Sequence, residues 1–94
     1  MEFSAVTLLE QLGGKRFIAM TGARNFFKGE NSILFKLPKA QHGIRLVKIE
    51  LTPADLYDMT FFTLSGKVVK KVDGIYDDQL QEIFTENTGL YTHL

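Results

Sequence analysis

The chain has no cysteine in its 94 residues. That excludes disulfides, a thiol nucleophile and any zinc or iron–sulfur site built on cysteine. Secreted domains of this size often carry disulfides, so an intracellular, cytoplasmic setting is expected. No apolar stretch approaches the ~18 residues that a membrane-spanning helix requires. The opening segment MEFSAVTLLEQLGG begins with an acid and lacks a basic lead-in, so no signal peptide is expected there. Low-complexity runs and internal repeats are also absent, which argues against disorder and arrays.

Catalytic signatures are missing as well. Gly14-Lys15 lacks the earlier glycine and the following Ser/Thr of a phosphate-binding loop. Ser65 does not stand in a G-x-S-x-G elbow. His42 and His93 have no neighbour at metal-ligand spacing, and each reads as a solvated side chain. The acids of D-G-I-Y-D-D (73–78) do not follow the alternating ligand order of a calcium loop. Asp73 reads instead as a turn residue, and Asp77 and Asp78 as helix-start residues favoured by the helix dipole. No catalytic residue, metal site or cofactor is expected, and the chain does not read as an enzyme.

What is present is an uneven charge distribution. Gln11 to Ile49 holds eight basic residues and one acid, whereas Glu50 to Leu94 holds three lysines and eight acids. The net charge is nevertheless zero. The basic block therefore either meets an anionic partner or is neutralised by the acidic half on folding. With 45% hydrophobic residues and eight phenylalanines, the chain supports one packed core. A single domain spanning 1–94 is expected.

Ser4 to Gly14 reads as a helix. Ala5, Leu8, Leu9 and Leu12 form one apolar stripe, Ser4 caps the start, and Gly13 or Gly14 ends it. Arg16 to Thr21 is apolar on both faces and reads as a buried strand, with Phe17 and Ala19 inward. Gly22 to Asn25 reads as a bend or bulge and Lys28 to Asn31 as a turn. Ile33 to Leu37 alternates as a strand that Pro38 closes. Ile44 to Leu51 is another, with Val47, Ile49 and Leu51 inward. Thr52-Pro53-Ala54-Asp55 signals one helical turn. Tyr57 to Leu64 and Lys67 to Val72 pair around a two-residue Ser65-Gly66 turn, and Asp73-Gly74 ends the second strand. A helix over Asp77 to Thr88, with Leu80, Ile83 and Phe84 inward, stops at Gly89. The expected fold is α+β: a mainly antiparallel five-stranded sheet with N- and C-terminal helices packed on one face.

Two surfaces are candidates for binding. Arg24, Phe26, Phe27 and Lys28 combine aromatic rings with cations, the pairing that stacks bases while holding phosphates. The preferred reading has both phenylalanines folding back to cap the core. The outward set Leu34, Lys36, Leu46 and Lys48, joined by Glu50, is half apolar and half charged, which suits a protein contact or a homo-oligomer. Because alternation divides the cations between faces and turns, one continuous basic patch is not expected. The basic early strands are instead expected to match the acidic last helix.

The segments GGKRFIAMTGARNF (13–26), FKLP (35–38), LTPADLYDM (51–59) and GIYDDQLQEIFTENTGLYT (74–92) together resemble a group of small proteins encoded by bacteriophages and bacterial mobile elements. The resemblance implies a prokaryotic or phage setting and an intracellular location. It brings no activity and no functional residues with it. The expected function is a small non-enzymatic module that binds protein or itself. The alternative is weak, non-specific nucleic-acid binding through the basic, aromatic loop. A pI near 6.7 counts against that alternative.

Overall fold

A computed structural model describes residues 3–92, so His93 lies outside the described residues. Ser4 caps the first helix, its hydroxyl accepting from the Thr7 N–H at 3.2 Å. Helix α1, Ala5–Leu12, follows and buries Leu8 and Leu12, one turn apart. Gly13, at φ 124°, ends it.

Arg16 to Thr21, expected as a strand, is a helix: α2 spans Lys15–Thr21. The physical reason lies at its two ends and on its buried side. Gly14 (φ 59°) and Gly22 (φ 73°) bracket the run in conformations that glycine adopts without strain. Between them Phe17 and Thr21, four residues apart, are buried, while Ile18, Ala19 and Met20 are exposed. Four-residue spacing is the helical repeat, so only one stripe is buried. Ala19, expected inward, therefore stands at the surface.

The first strand comes later than expected. β1 (Arg24–Lys28), β2 (Ser32–Lys36), β3 (Leu46–Leu51), β4 (Tyr57–Phe62) and β5 (Val68–Ile75) form one sheet in sequence order. All four neighbouring pairs are antiparallel. With its three helices the domain is α+β, and five strands are present because β1 stands in for the one expected at 16–21.

The connections differ from expectation in detail. Gly29 N–H donates to the Ser32 carbonyl at 2.8 Å, closing the β1–β2 turn. Thr52 to Asp55 is not helical: Asp55 has φ 61°, and its N–H donates to the Thr52 carbonyl at 3.0 Å. The β4–β5 hairpin has three loop residues rather than two. Thr63 N–H donates to the Lys67 carbonyl at 2.9 Å around Leu64, Ser65 and Gly66, with Gly66 at φ 93°. β5 also continues through Asp73-Gly74, where it was expected to end. Gly74, at φ 66°, lies in an irregular stretch of register, and its N–H donates to Asp58 Oδ1 at 3.1 Å. The irregularity makes a bulge of what reads as a strand-ending signal.

After β5 a short turn at Asp77–Gln79 leads into helix α3, Leu80–Thr88, which Gly89 ends at φ 76°. α1 contacts α3. The core centres on Phe35 of β2. Phe17 of α2 meets it edge-on at 5.5 Å between ring centroids, Phe84 of α3 lies at 6.3 Å, and Phe26 of β1 at 5.3 Å. Phe17 and Phe84 also touch each other at 5.2 Å. Burying each such ring contributes about 1.5–3 kcal/mol. Along the strands burial alternates: Ile33 and Phe35, Val47 and Ile49, Met59 and Phe61 are enclosed, and the residues between them are less so.

Candidate binding surface

The residues between the enclosed ones occupy the second face of the sheet. Residues directly paired across antiparallel strands share a face. The register therefore sets out this face in cross-strand rows. One row runs Phe27, Leu34, Lys48, Thr60 and Lys71; the next runs Arg24, Lys36, Leu46, Phe62 and Val68. A third begins Ser32, Glu50 and Asp58. Phe27 is 71% exposed and Val68 58% exposed. Leu34, Leu46, Lys48, Thr60 and Phe62 are half-buried, and Arg24 and Lys36 are exposed.

A bulge puts Arg24 on this face. Arg24 and Phe27 are three residues apart, so in a regular strand they would point to opposite sides. Their partners Lys36 and Leu34 are only two apart, and the register shifts between the two pairs. Asn25, within the shift, has φ 56°, which asparagine tolerates better than most residues. The extra residue turns Arg24 to the side of Phe27.

The two candidate sets are thus partly merged and partly divided. Leu34, Lys36, Leu46 and Lys48 lie together, and Arg24 and Phe27 join them. Phe26 does not: its ring packs on Phe35, as expected of a core cap. Phe27 was expected to fold back likewise and instead is exposed. Lys28 pairs with buried Ile33 and so falls in the other rank of the strand. Thr60, Phe62, Val68 and Lys71 also belong to this face, although none was among the sequence candidates. For Thr60 and Phe62 the usable signal is the alternation of Asp58, Thr60 and Phe62 against Tyr57, Met59 and Phe61.

No ion pair joins the basic early strands to the last helix among the described residues, contrary to expectation. Among the described residues one ion pair is present, Lys71 to Asp73 at 3.5 Å, between two exposed side chains. Such a pair contributes little. Arg45 is held structurally, its Nε–H donating to the Leu37 carbonyl at 2.8 Å. Arg24, Lys36 and Lys48 have no acidic partner among the described residues.

The acids lie elsewhere. An open groove of about 850 Å³ is lined by Asp77, Asp78, Glu82, Glu86 and Tyr91, with Gln11, Gln81 and Thr85. Glu82 and Glu86, four residues apart in α3, stand one above the other on one helical side, and Asp77 and Asp78 lie in the turn that leads into it. Next to it, Tyr57 O–H donates to Gln11 Oε1 at 3.0 Å. Burial, and then the negative charge of Asp77, push the Tyr57 phenol above its ordinary value. No group of three or more His, Asp or Glu side chains suited to a metal ion occurs among the described residues. His42 is exposed in a short turn at φ 61°. No described helix is long and apolar enough to cross a membrane.

No protein-family model matches the chain, and neither does any curated protein or solved structure.

Proposed function

We propose that this protein is a self-associating, protein-binding module that docks through the second face of its sheet. The helices cover the face bearing Phe35, Ile49 and Phe61, in this reading, and the opposite face stays open. The observation that carries it is the register: it ranks Phe27, Leu34, Leu46 and Phe62 as an apolar band among Arg24, Lys36, Lys48 and Lys71. Contiguous exposed apolar surface set among polar groups is the mark of a protein contact.

The face is a better candidate than the sheet edges. β1 is interrupted by its bulge, and β5 has two register irregularities and carries Lys70 and Lys71. Bulges and lysines are the usual means of blocking edge-to-edge pairing. The face is also better suited to protein than to nucleic acid. Leucines do not stack bases, Phe26 and Lys28 are directed elsewhere, and Glu50 and Asp58 lie in the adjoining row, where they would repel phosphate. A cytoplasmic setting in a phage or mobile-element context accompanies this reading on the sequence resemblance alone.

Sedimentation equilibrium across a concentration series tests the proposal. The wild-type chain is expected to associate, and Leu46→Glu with unchanged circular dichroism is expected to remain monomeric. A wild-type chain that stays monomeric throughout overturns it. So does salt-sensitive binding of single-stranded oligothymidylate that Leu46→Glu abolishes, since the face would then serve nucleic acid.

A further inference from the structure

We infer that copies of this chain join head to tail, the second sheet face of one seating on the acidic groove beside α3 of the next. The inference rests on the proposed self-association and specifies its geometry. A symmetric dimer would place the same patch on both subunits. The cations Arg24, Lys36, Lys48 and Lys71, which outnumber Glu50 and Asp58 on this face, would then be set against a surface of the same sign. Like charges brought together in an interface oppose it.

The chain carries its own complement. Asp77, Asp78, Glu82 and Glu86 line one groove, and none has a cationic partner among the described residues. The residues of the groove and those of the face are different ones, so one molecule can offer both at once. Shape and polarity agree with charge. Phe27 projects from the face at 71% exposure, and the groove is open and edged by Tyr91, itself 69% exposed. Aromatic rings with exposed surface are the side chains that gain most from mutual burial at a contact. Zero net charge fits this pattern: the halves of the chain balance each other between molecules, and among the described residues no ion pair links them within one molecule, Lys71 and Asp73 both belonging to the acidic half. A contact between unlike surfaces leaves one of each unfilled at the ends and so builds rings or open chains.

Charge reversal tests the pairing. One variant carries Lys36→Glu and Lys48→Glu, the other Glu82→Lys and Glu86→Lys, and circular dichroism checks that both fold. Each alone is expected to sediment as a monomer at concentrations where the wild type associates. Mixed in equal amounts they are expected to associate again, because the intact face of one meets the intact groove of the other and the two reversed surfaces also match in charge. A chain carrying all four reversals is expected to associate again. If the groove variant associates as the wild type does, the head-to-tail geometry is overturned while association through the face stands. If the mixture stays monomeric, the geometry is likewise overturned. A wild type that never associates removes both.

Discussion

Thr21 and Thr88 make the same pair of hydrogen bonds at the ends of two different helices. The Thr21 hydroxyl donates to the Phe17 carbonyl at 2.7 Å and accepts from Ala23 N–H at 3.2 Å. That of Thr88 donates to the Phe84 carbonyl at 2.7 Å and accepts from Leu90 N–H at 3.2 Å. Both threonines are buried, and a glycine in the left-handed region follows each. The hydroxyl thus supplies the N–H just beyond the helix with an acceptor that the helix itself no longer provides.

Valine has the shape of threonine without the hydroxyl. Thr21→Val and Thr88→Val are each expected to cost about 1–3 kcal/mol by leaving an N–H without its partner. The loss is expected to be larger at Thr21, because Ala23 is buried and Leu90 only half-buried. Urea unfolding measures both, and the serine variants, which keep the hydroxyl, separate the hydrogen bonds from packing. Equal stability of the valine variants and the wild type would show that water substitutes freely at both ends.

The repeated bonding bears on what the sequence made legible. Both sites read F-x-x-x-T-G, at 17–22 and 84–89. The second reads as the end of a helix because polar Gln81 and Glu82 stand between Leu80 and the Ile83–Phe84 pair and make the period visible. In α2 Phe17, Ile18, Ala19 and Met20 are consecutive apolar residues, and seven positions are too few for periodicity to choose between strand and helix. The glycines on either side and the threonine four residues after Phe17 were the usable signals. The binding face was half legible for a similar reason. Leu34, Lys36, Leu46 and Lys48 follow from alternation within regular strands. Arg24 and Phe27 depend on a bulge at Asn25, and the place of Val68 and Lys71 depends on a register fixed by pairing across the sheet, which local pattern does not contain.

Phe26 and Phe27 are adjacent and chemically identical but serve opposite sides of β1. Threonine at either position keeps a strand-favouring residue on this edge strand. Phe26→Thr is expected to lower stability by about 1–3 kcal/mol, since the ring leaves Phe35 and the half-buried site. Phe27→Thr is expected to change stability by less than about 0.5 kcal/mol, as surface substitutions do, and to weaken association. Thermal melts paired with sedimentation on both variants make the comparison. Reversed stability effects would contradict the assignment of the two rings.

Tyr57 links stability to alkaline pH. Its phenol is held above the ordinary value of 10.0 by burial and by Asp77. As pH climbs past that value the unfolded chain releases the proton while the folded chain keeps it. The contribution of this group to stability is therefore constant below about pH 9 and is lost as pH rises from there through the folded pKa. Tyr57→Phe is expected to lose about 0.5–1.5 kcal/mol at neutral pH with the hydrogen bond to Gln11. Its stability should then decline less steeply above pH 10, so that the two chains converge. Parallel curves in urea unfolding from neutral to alkaline pH would show that Tyr57 titrates alike in both states.

Salt separates the two ways in which the sheet face can meet another copy, because it acts on them with opposite sign. In the head-to-tail contact the cations of the face, Lys36 and Lys48 among them, approach Glu82 and Glu86, and screening removes an attraction. In a symmetric contact they approach each other, and screening removes a repulsion. Exposed charges are largely screened beyond about 10 Å at 0.1 M salt. Raising salt from about 0.02 M to about 0.3 M is therefore expected to shift the wild-type chain toward monomer in sedimentation equilibrium. The apolar band of Phe27, Leu34, Leu46 and Phe62 is insensitive to this range, so association should weaken without vanishing. Association that strengthens with salt would mean that like surfaces meet.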